Sequence, residues 1–187
     1  MTIVYVVLGV LVLLVLGYIL INNSLISARN KCDEAWSGID VQLKRRHDLI
    51  PNLVEVVKDY MSYEQETLRQ VIEARNGAVK ASTGGSPAAA MQAENALTGA
   101  LGRFFALAEN YPQLKADQNV ARLMEELSGT ENKISFARQF YNDSVMSLNN
   151  AVQGFPTNLI ANMFGFNIAT YFEVPEAEKA TPKVDLR

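Results

Sequence analysis

The chain has 187 residues, enough for one domain of ordinary size plus an anchor, and its formal net charge of −3 gives no basic face for a nucleic-acid partner. A single cysteine, Cys32, excludes an intrachain disulfide framework, and one His beside one Cys argues against a zinc cluster, which draws four ligands mostly from those residue types. The 17 basic and 20 acidic side chains all lie from Arg29 onward, so the mean hydropathy of +0.02 averages two unlike pieces.

The first piece is Ile3–Ile21, which contains only Ile, Val, Leu, Tyr and Gly. Its length is roughly 28 Å as a helix at about 1.5 Å per residue, against a bilayer hydrocarbon core of about 30 Å. A membrane anchor over 1–23 is the expectation, with Ile3, Val7, Leu11, Leu14, Tyr18 and Ile21 among its lipid-facing side chains. A cleaved signal peptide would need a basic start and a shorter apolar stretch. A buried core helix would be expected to show a polar face. Arg29, Lys31, Lys44, Arg45 and Arg46 follow the span. The positive-inside rule then puts the domain over 24–187 in the cytoplasm and the N-terminus outside an inner (cell) membrane.

Past the anchor, apolar or small residues recur every seven places at Leu25, Cys32, Ile39, Leu53 and Tyr60, with Arg46 in the one charged slot. A second row runs Trp36, Leu43, Ile50, Val57. Pro51 cannot donate a hydrogen bond, yet the phase survives across it, which predicts a kink rather than a reversal. The stripe runs on through Met61, Leu68 and Val71, predicting one helix to about Lys80. The turn at 81–87 follows, with Ser86 as a cap and Pro87 opening the next helix. That helix offers Leu97, Leu101, Phe104, Phe105 and Leu107 to a core and stops before Tyr111-Pro112. A long helix then runs from about Gln113 or Asp117 to Gln153. Gly154-Phe155-Pro156 ends it, and a short helical turn with Leu159, Ile160, Met163 and Phe164 precedes a tail with Pro175 and Pro182. The expected fold class is all-α: an N-terminal transmembrane helix, an antiparallel bundle of three long helices plus a short fourth, and an extended C-terminal tail.

Few side chains suggest chemistry. His47 has no second His or Cys at ligand spacing and reads as a surface histidine. Cys32, on the apolar stripe, reads as a small buried hydrophobe. Lys44-Arg45-Arg46 reads as a solvated run with Arg46 turned inward onto a carboxylate, and as lipid-binding only in the alternative. Glu109, Glu125, Glu126 and Glu131 read as helical surface charge, since none forms a Glu-x-x-His pair. Phe155, Phe164, Phe166, Tyr171 and Phe172 either pin the C-terminal segment to the bundle or form an exposed patch. No nucleotide-binding or nucleophile-elbow motif occurs.

Several runs resemble the LemA family of bacterial membrane proteins. They are Ala35–Glu55, which holds Trp36, Arg45, Arg46, Asp48 and Pro51; Glu109–Ala116; Gly129–Ile134; Ala137–Asp143, which holds Tyr141 and Asn142; and Phe155–Ile160, which opens on Phe155-Pro156. The resemblance implies a membrane helix, a helical bundle and no assigned catalytic activity or cofactor. It also implies association with envelope proteins such as membrane proteases. Together with Phe166 and Phe172, the named motif residues are the candidate interaction set. The expected function is a membrane-anchored interaction or scaffold protein that is not an enzyme, takes no small-molecule substrate, and has the membrane and further copies of itself as partners. The alternatives are an accessory subunit of an envelope hydrolase, with Glu109, Glu126 and Glu131 as its only support, and a membrane-sensing or remodelling protein.

Overall fold

The computed structural model describes residues 1–84 and 87–172, without the side chains of residues 87 and 115. Among these there is no strand, and there are six helices: α1 (Thr2–Val57), α2 (Gln65–Thr83), α3 (Pro87–Ala108), α4 (Pro112–Ala116), α5 (Gln118–Gln153) and α6 (Thr157–Phe164). The all-α expectation holds, but the helix expected to reach Lys80 is divided. The chain turns between Val57 and Gln65, a segment with neither Gly nor Pro. Ser86 and the tail with Pro175 and Pro182 fall outside the described residues.

Internal contacts divide the chain into two units. One joins Met1–Ile39 to Ala137–Tyr171, and the other is Asp40–Phe136 together with Phe172. In the second unit the last turns of α1, then α2, α3 and the start of α5, surround a core that includes Ile50, Leu53, Val57, Leu97, Phe104 and Leu127. Cross-contacts fix the directions. Arg75 of α2 reaches the carbonyl of His47, so α2 runs back along α1. Glu94 and Thr98 of α3 meet Arg46, and further along Tyr111 donates to Glu64 at 3.1 Å, so α3 runs with α1. Tyr60 donates to Asp117 at 2.9 Å and Glu131 meets Arg46, so α5 runs against it. The four segments alternate in direction, as an up-and-down bundle does.

The reversal after Val57 follows from this packing. Met61 is fully buried in the core, while Tyr60 and Glu64 bond to Asp117 and Tyr111. The spacing of seven from Met61 to Leu68 imitates a continuing helix although the chain turns between them. Asp117 starts α5: its Oδ1 accepts the backbone N–H of Asn119 at 2.8 Å and of Val120 at 3.2 Å, the donors a helix start leaves open.

In the first unit the remainder of α1 carries the apolar span and then Leu25, Cys32 and Ile39, all buried. The end of α5 buries Tyr141, Val145, Leu148 and Val152. The Trp36 and Tyr141 rings meet edge-on, with centroids 5.5 Å apart. Gly165 ends α6 at φ 71°, a left-handed position that glycine takes without strain, and the Phe166 N–H then reaches the Ala161 carbonyl at 2.9 Å. The return of the chain to Tyr171 is held by Asn149, which exchanges bonds of 2.8 and 3.0 Å with Ala169, and by the Tyr141 hydroxyl on the Thr170 carbonyl.

Pro51 lies inside α1 without ending it, so the predicted absence of a reversal there is met. A proline at this position removes the N–H that would bond the carbonyl four residues back, which is that of His47. The Nε of Arg75 supplies the missing donor at 3.1 Å. Replacing Pro51 by Ala restores the backbone donor and makes Arg75 redundant. R75A is therefore expected to destabilise the protein by about 1 kcal/mol in the native background and by clearly less beside P51A. Urea unfolding of the four members of the cycle reads this coupling.

Candidate functional site

The most connected polar group in the second unit is built around Arg46, the charged member of the apolar seven-residue row on α1. Its side chain has no exposed surface. A guanidinium there keeps its charge, so carboxylates must come to it. Nη2 donates to Oε2 of Glu94 from α3, a carboxylate 1% exposed. Nη1 donates to Oε2 of Glu131 from α5 at 2.6 Å and to Oγ1 of Thr98 at 2.9 Å, and the Thr98 hydroxyl passes its own hydrogen to Oε1 of Glu131 at 2.9 Å. The free oxygen of Glu94 meets Nε2 of His47 at 2.8 Å. With Arg75 on the His47 carbonyl, α1, α2, α3 and α5 join one network.

His47 is thus buried, 6% exposed, and not the surface residue its sequence context suggested. His47 lies four residues after Leu43 and three before Ile50, both buried, which puts it on the face of the second apolar row. Arg46 does face inward onto carboxylates, as expected. Glu131 is no plain surface charge either: it is part-buried and paired. Glu94, Thr98 and Arg75 were not singled out from the sequence. Glu94 had a legible signal, as the one acid in α3, an otherwise largely apolar helix.

Burial by itself would raise the Glu94 carboxyl, but the His47 hydrogen bond and the Arg46 charge and hydrogen bond overcome it and hold it below the usual carboxylate range. The bonds from Val120, Tyr60 and Asn119 lower Asp117 likewise. Among the described residues no group of three or more His, Cys, Asp or Glu is placed to hold a metal ion. The network's members face one another, so its evident work is to set the register of four helices.

The other candidate residues are dispersed. Trp36 and Tyr141 are together in the first unit, and Asn142 is half-buried beside them on α5. Arg45 approaches Glu126 at 3.6 Å with half its side chain in solvent, an arrangement of little energetic weight. Asp48 is exposed. The C-terminal aromatics divide between the two readings: Phe172 is buried, Phe166 lies under Arg29 with the guanidinium 5.5 Å from its ring centre, and Phe155 is 82% exposed with Pro156 beside it. Cys32 is buried, and burial, then the Asp33 charge, pushes its thiol up, which suits a packing role better than a nucleophile's.

A second candidate surface is the apolar span. Among the described residues one helix, α1, is long and apolar enough to cross a membrane by length and composition, and its most apolar stretch is not buried against the protein at all. That excludes the core-helix reading. The anchor residues Ile3, Val7, Leu11, Leu14 and Tyr18 are all exposed, and Ile21 is half-buried where the packed part begins.

Two outcomes test the network. R46M leaves the buried Glu94 carboxylate without its main counter-charge and is expected to cost about 3–5 kcal/mol. R46M/E94L removes both charges and should recover most of that loss in urea unfolding. The second outcome concerns pH. Because Glu94 and Asp117 are held low in the folded state, their stabilisation is complete above the ordinary carboxylate range of about 4 and is lost as pH falls through their folded-state values. Stability measured against pH should fall on the acid side, and less steeply in E94Q.

The model of the LemA family matches residues 35–186. Among curated proteins the chain is similar to magnetosome protein MamQ 1 of Paramagnetospirillum magneticum, 24% identical over an alignment of 174 residues, with 81% of this chain and 64% of that protein covered. It is similar to magnetosome protein MamQ of Magnetospirillum gryphiswaldense at 25% over 173 residues, 80% and 64% of the two chains. It is also similar to protein LemA of Metamycoplasma hominis at 25% over 158 residues, 84% and 71%. The chain therefore spans just under two thirds of the length of the magnetosome relatives. With the family model matching most of its length, the chain belongs to the LemA family.

Proposed function

We propose that this protein is a membrane-anchored helical scaffold of the bacterial envelope that associates with further copies of itself and catalyses no reaction. The observation that carries the reading is that the apolar span and the first helix of the folded part are one helix, Thr2–Val57, with no loop between them. Basic residues begin at Arg29, directly after the span, which supports an inner-membrane protein with its folded part in the cytoplasm.

The surface that suits a second copy lies in the first unit. Ser24, Ser27 and Ala28 of α1 and Ser144, Ser147 and Ala151 of α5 line an open groove of about 600 Å³, beside Phe140, which is 59% exposed. Small side chains let another helix approach closely, and Lys31, Glu34 and Asp143 on the same groove give both signs of charge for a self-complementary contact. Envelope proteins such as a membrane protease are further partners that such a scaffold would position.

The test is disulfide crosslinking of the full chain in native membranes, in a C32A background. F140C is expected to give covalent dimers under mild oxidation, while Y63C, which replaces a 95% exposed tyrosine in the other unit, gives few. Equal monomer bands from both positions would remove the self-association reading.

A further inference from the structure

Helix α6 shows an apolar face that the protein leaves uncovered. Leu159 and Met163, four apart on α6, are 61% and 78% exposed, and Phe155, in the turn that leads into the helix, is 82% exposed. Phe164 and Ile168 add to the patch at 51% and 60%. The opposite side of α6 is seated on the first unit through Ala161, which is fully buried. In water such a cluster is costly, because apolar surface left wet forgoes the gain of burial.

Three observations identify what covers it. The Phe164 ring packs on Tyr18 with centroids 5.6 Å apart, and Tyr18 belongs to the apolar span, three residues before its last member, Ile21. That places Phe164 at the depth where the span leaves the hydrocarbon, the level at which aromatic rings collect in membrane proteins. Secondly, the whole stretch from Ser144 to Phe172 contains no Asp, Glu, Lys or Arg. The polar positions around α6 are instead the amides Asn158, Asn162 and Asn167, which can enter the headgroup boundary without the penalty of a charge. Thirdly, the Arg29 guanidinium sits over the Phe166 ring, 5.5 Å from its centre, on the polar side of the span.

We propose that α6 is a second membrane contact: a short interfacial helix whose Leu159 and Met163, together with Phe155 in the turn before it, enter the boundary between headgroups and acyl chains beside the end of the transmembrane span. This rests on the anchor reading and adds to it. The span supplies attachment, while α6 ties the first unit to the bilayer surface at a fixed depth, as amphipathic interfacial helices do. The ligand is the lipid boundary itself and not a particular headgroup.

The test uses the full chain in phosphatidylcholine vesicles with Trp36 replaced by Phe and one new tryptophan at a time. M163W is expected to emit at shorter wavelength than Y63W and to lose more emission to lipids brominated near the headgroup than to lipids brominated near the bilayer centre. L11W, in the span, should show the reverse preference, and Y63W should respond to aqueous iodide. Iodide quenching of M163W as complete as that of Y63W, with L11W still quenched by the deep bromolipid, would overturn the interfacial contact and leave the anchor standing. If L11W also read as water-exposed, both would fall. Protection of M163W that bromolipid does not sense and that disappears when the protein is diluted into excess lipid would assign the face to a second copy, and would equally overturn the proposal. Should W36F disturb folding, L159C in a C32A background carries a nitroxide label. Its relaxation by oxygen over a water-soluble nickel chelate reads the same depth, and relaxation dominated by the chelate counts against the contact.

Discussion

A guanidinium group with no exposed surface must be neutralised where it lies, and in this protein that requirement ties four helices together. Arg46 takes a place in a row of residues that are otherwise apolar, between Ile39 and Leu53, and the rotation of α1 is set by that row. Once α1 is so turned, Glu94, Thr98 and Glu131 have to arrive at one level, because a bundle shifted by a turn would bury Arg46 without partners at a cost of several kcal/mol. The network adds less to net stability than its bonds suggest, since desolvation offsets much of the attraction. Its stronger effect is on register. An apolar core of Leu, Ile and Val tolerates many relative shifts of its helices, whereas a buried charge with three ligands tolerates few.

Pro51 works within the same constraint. It frees the carbonyl of His47, the residue whose imidazole holds the far side of Glu94, and the freed carbonyl is met by Arg75 from α2. The backbone and the side chain of one residue thereby bond to two different helices. A proline that would ordinarily cost a helix about 3 kcal/mol becomes the point at which α2 is fastened to α1.

The first unit has a different logic. Most of its packed residues are apolar or aromatic, with Arg138, Ser144 and Asn149 buried among them, polar bonds hold the return of the chain after α6, and much of its surface is greasy. An exposed Phe140 beside a groove of small residues and an exposed α6 face are separate surfaces with separate chemistry. The groove carries charges of both signs and suits a protein, while the α6 face has none and suits lipid. The proposed scaffold, held by a span, steadied at the interface and meeting its own copies through a third surface, would bring these features into one role.

The apolar span could be read from residues 3–21 alone, because length and composition decide whether a helix can cross a bilayer and no neighbour is needed. The ends of α3 at Ala108 and of α5 at Gln153 were legible for a similar local reason: Pro112, and Gly154 with Pro156, act on their own backbone. The inward turn of Arg46 was readable from its slot in the apolar row. What only the tertiary structure decided was the reversal at residues 58–64, where no local breaker exists and the phase of the stripe is kept by coincidence. It also decided the burial of His47 and the choice of Glu94 as its partner. Those depend on which helices lie side by side. Contacts between residues about fifty places apart leave little trace in local periodicity, so the sequence showed that Arg46 needed a carboxylate but not which one would reach it.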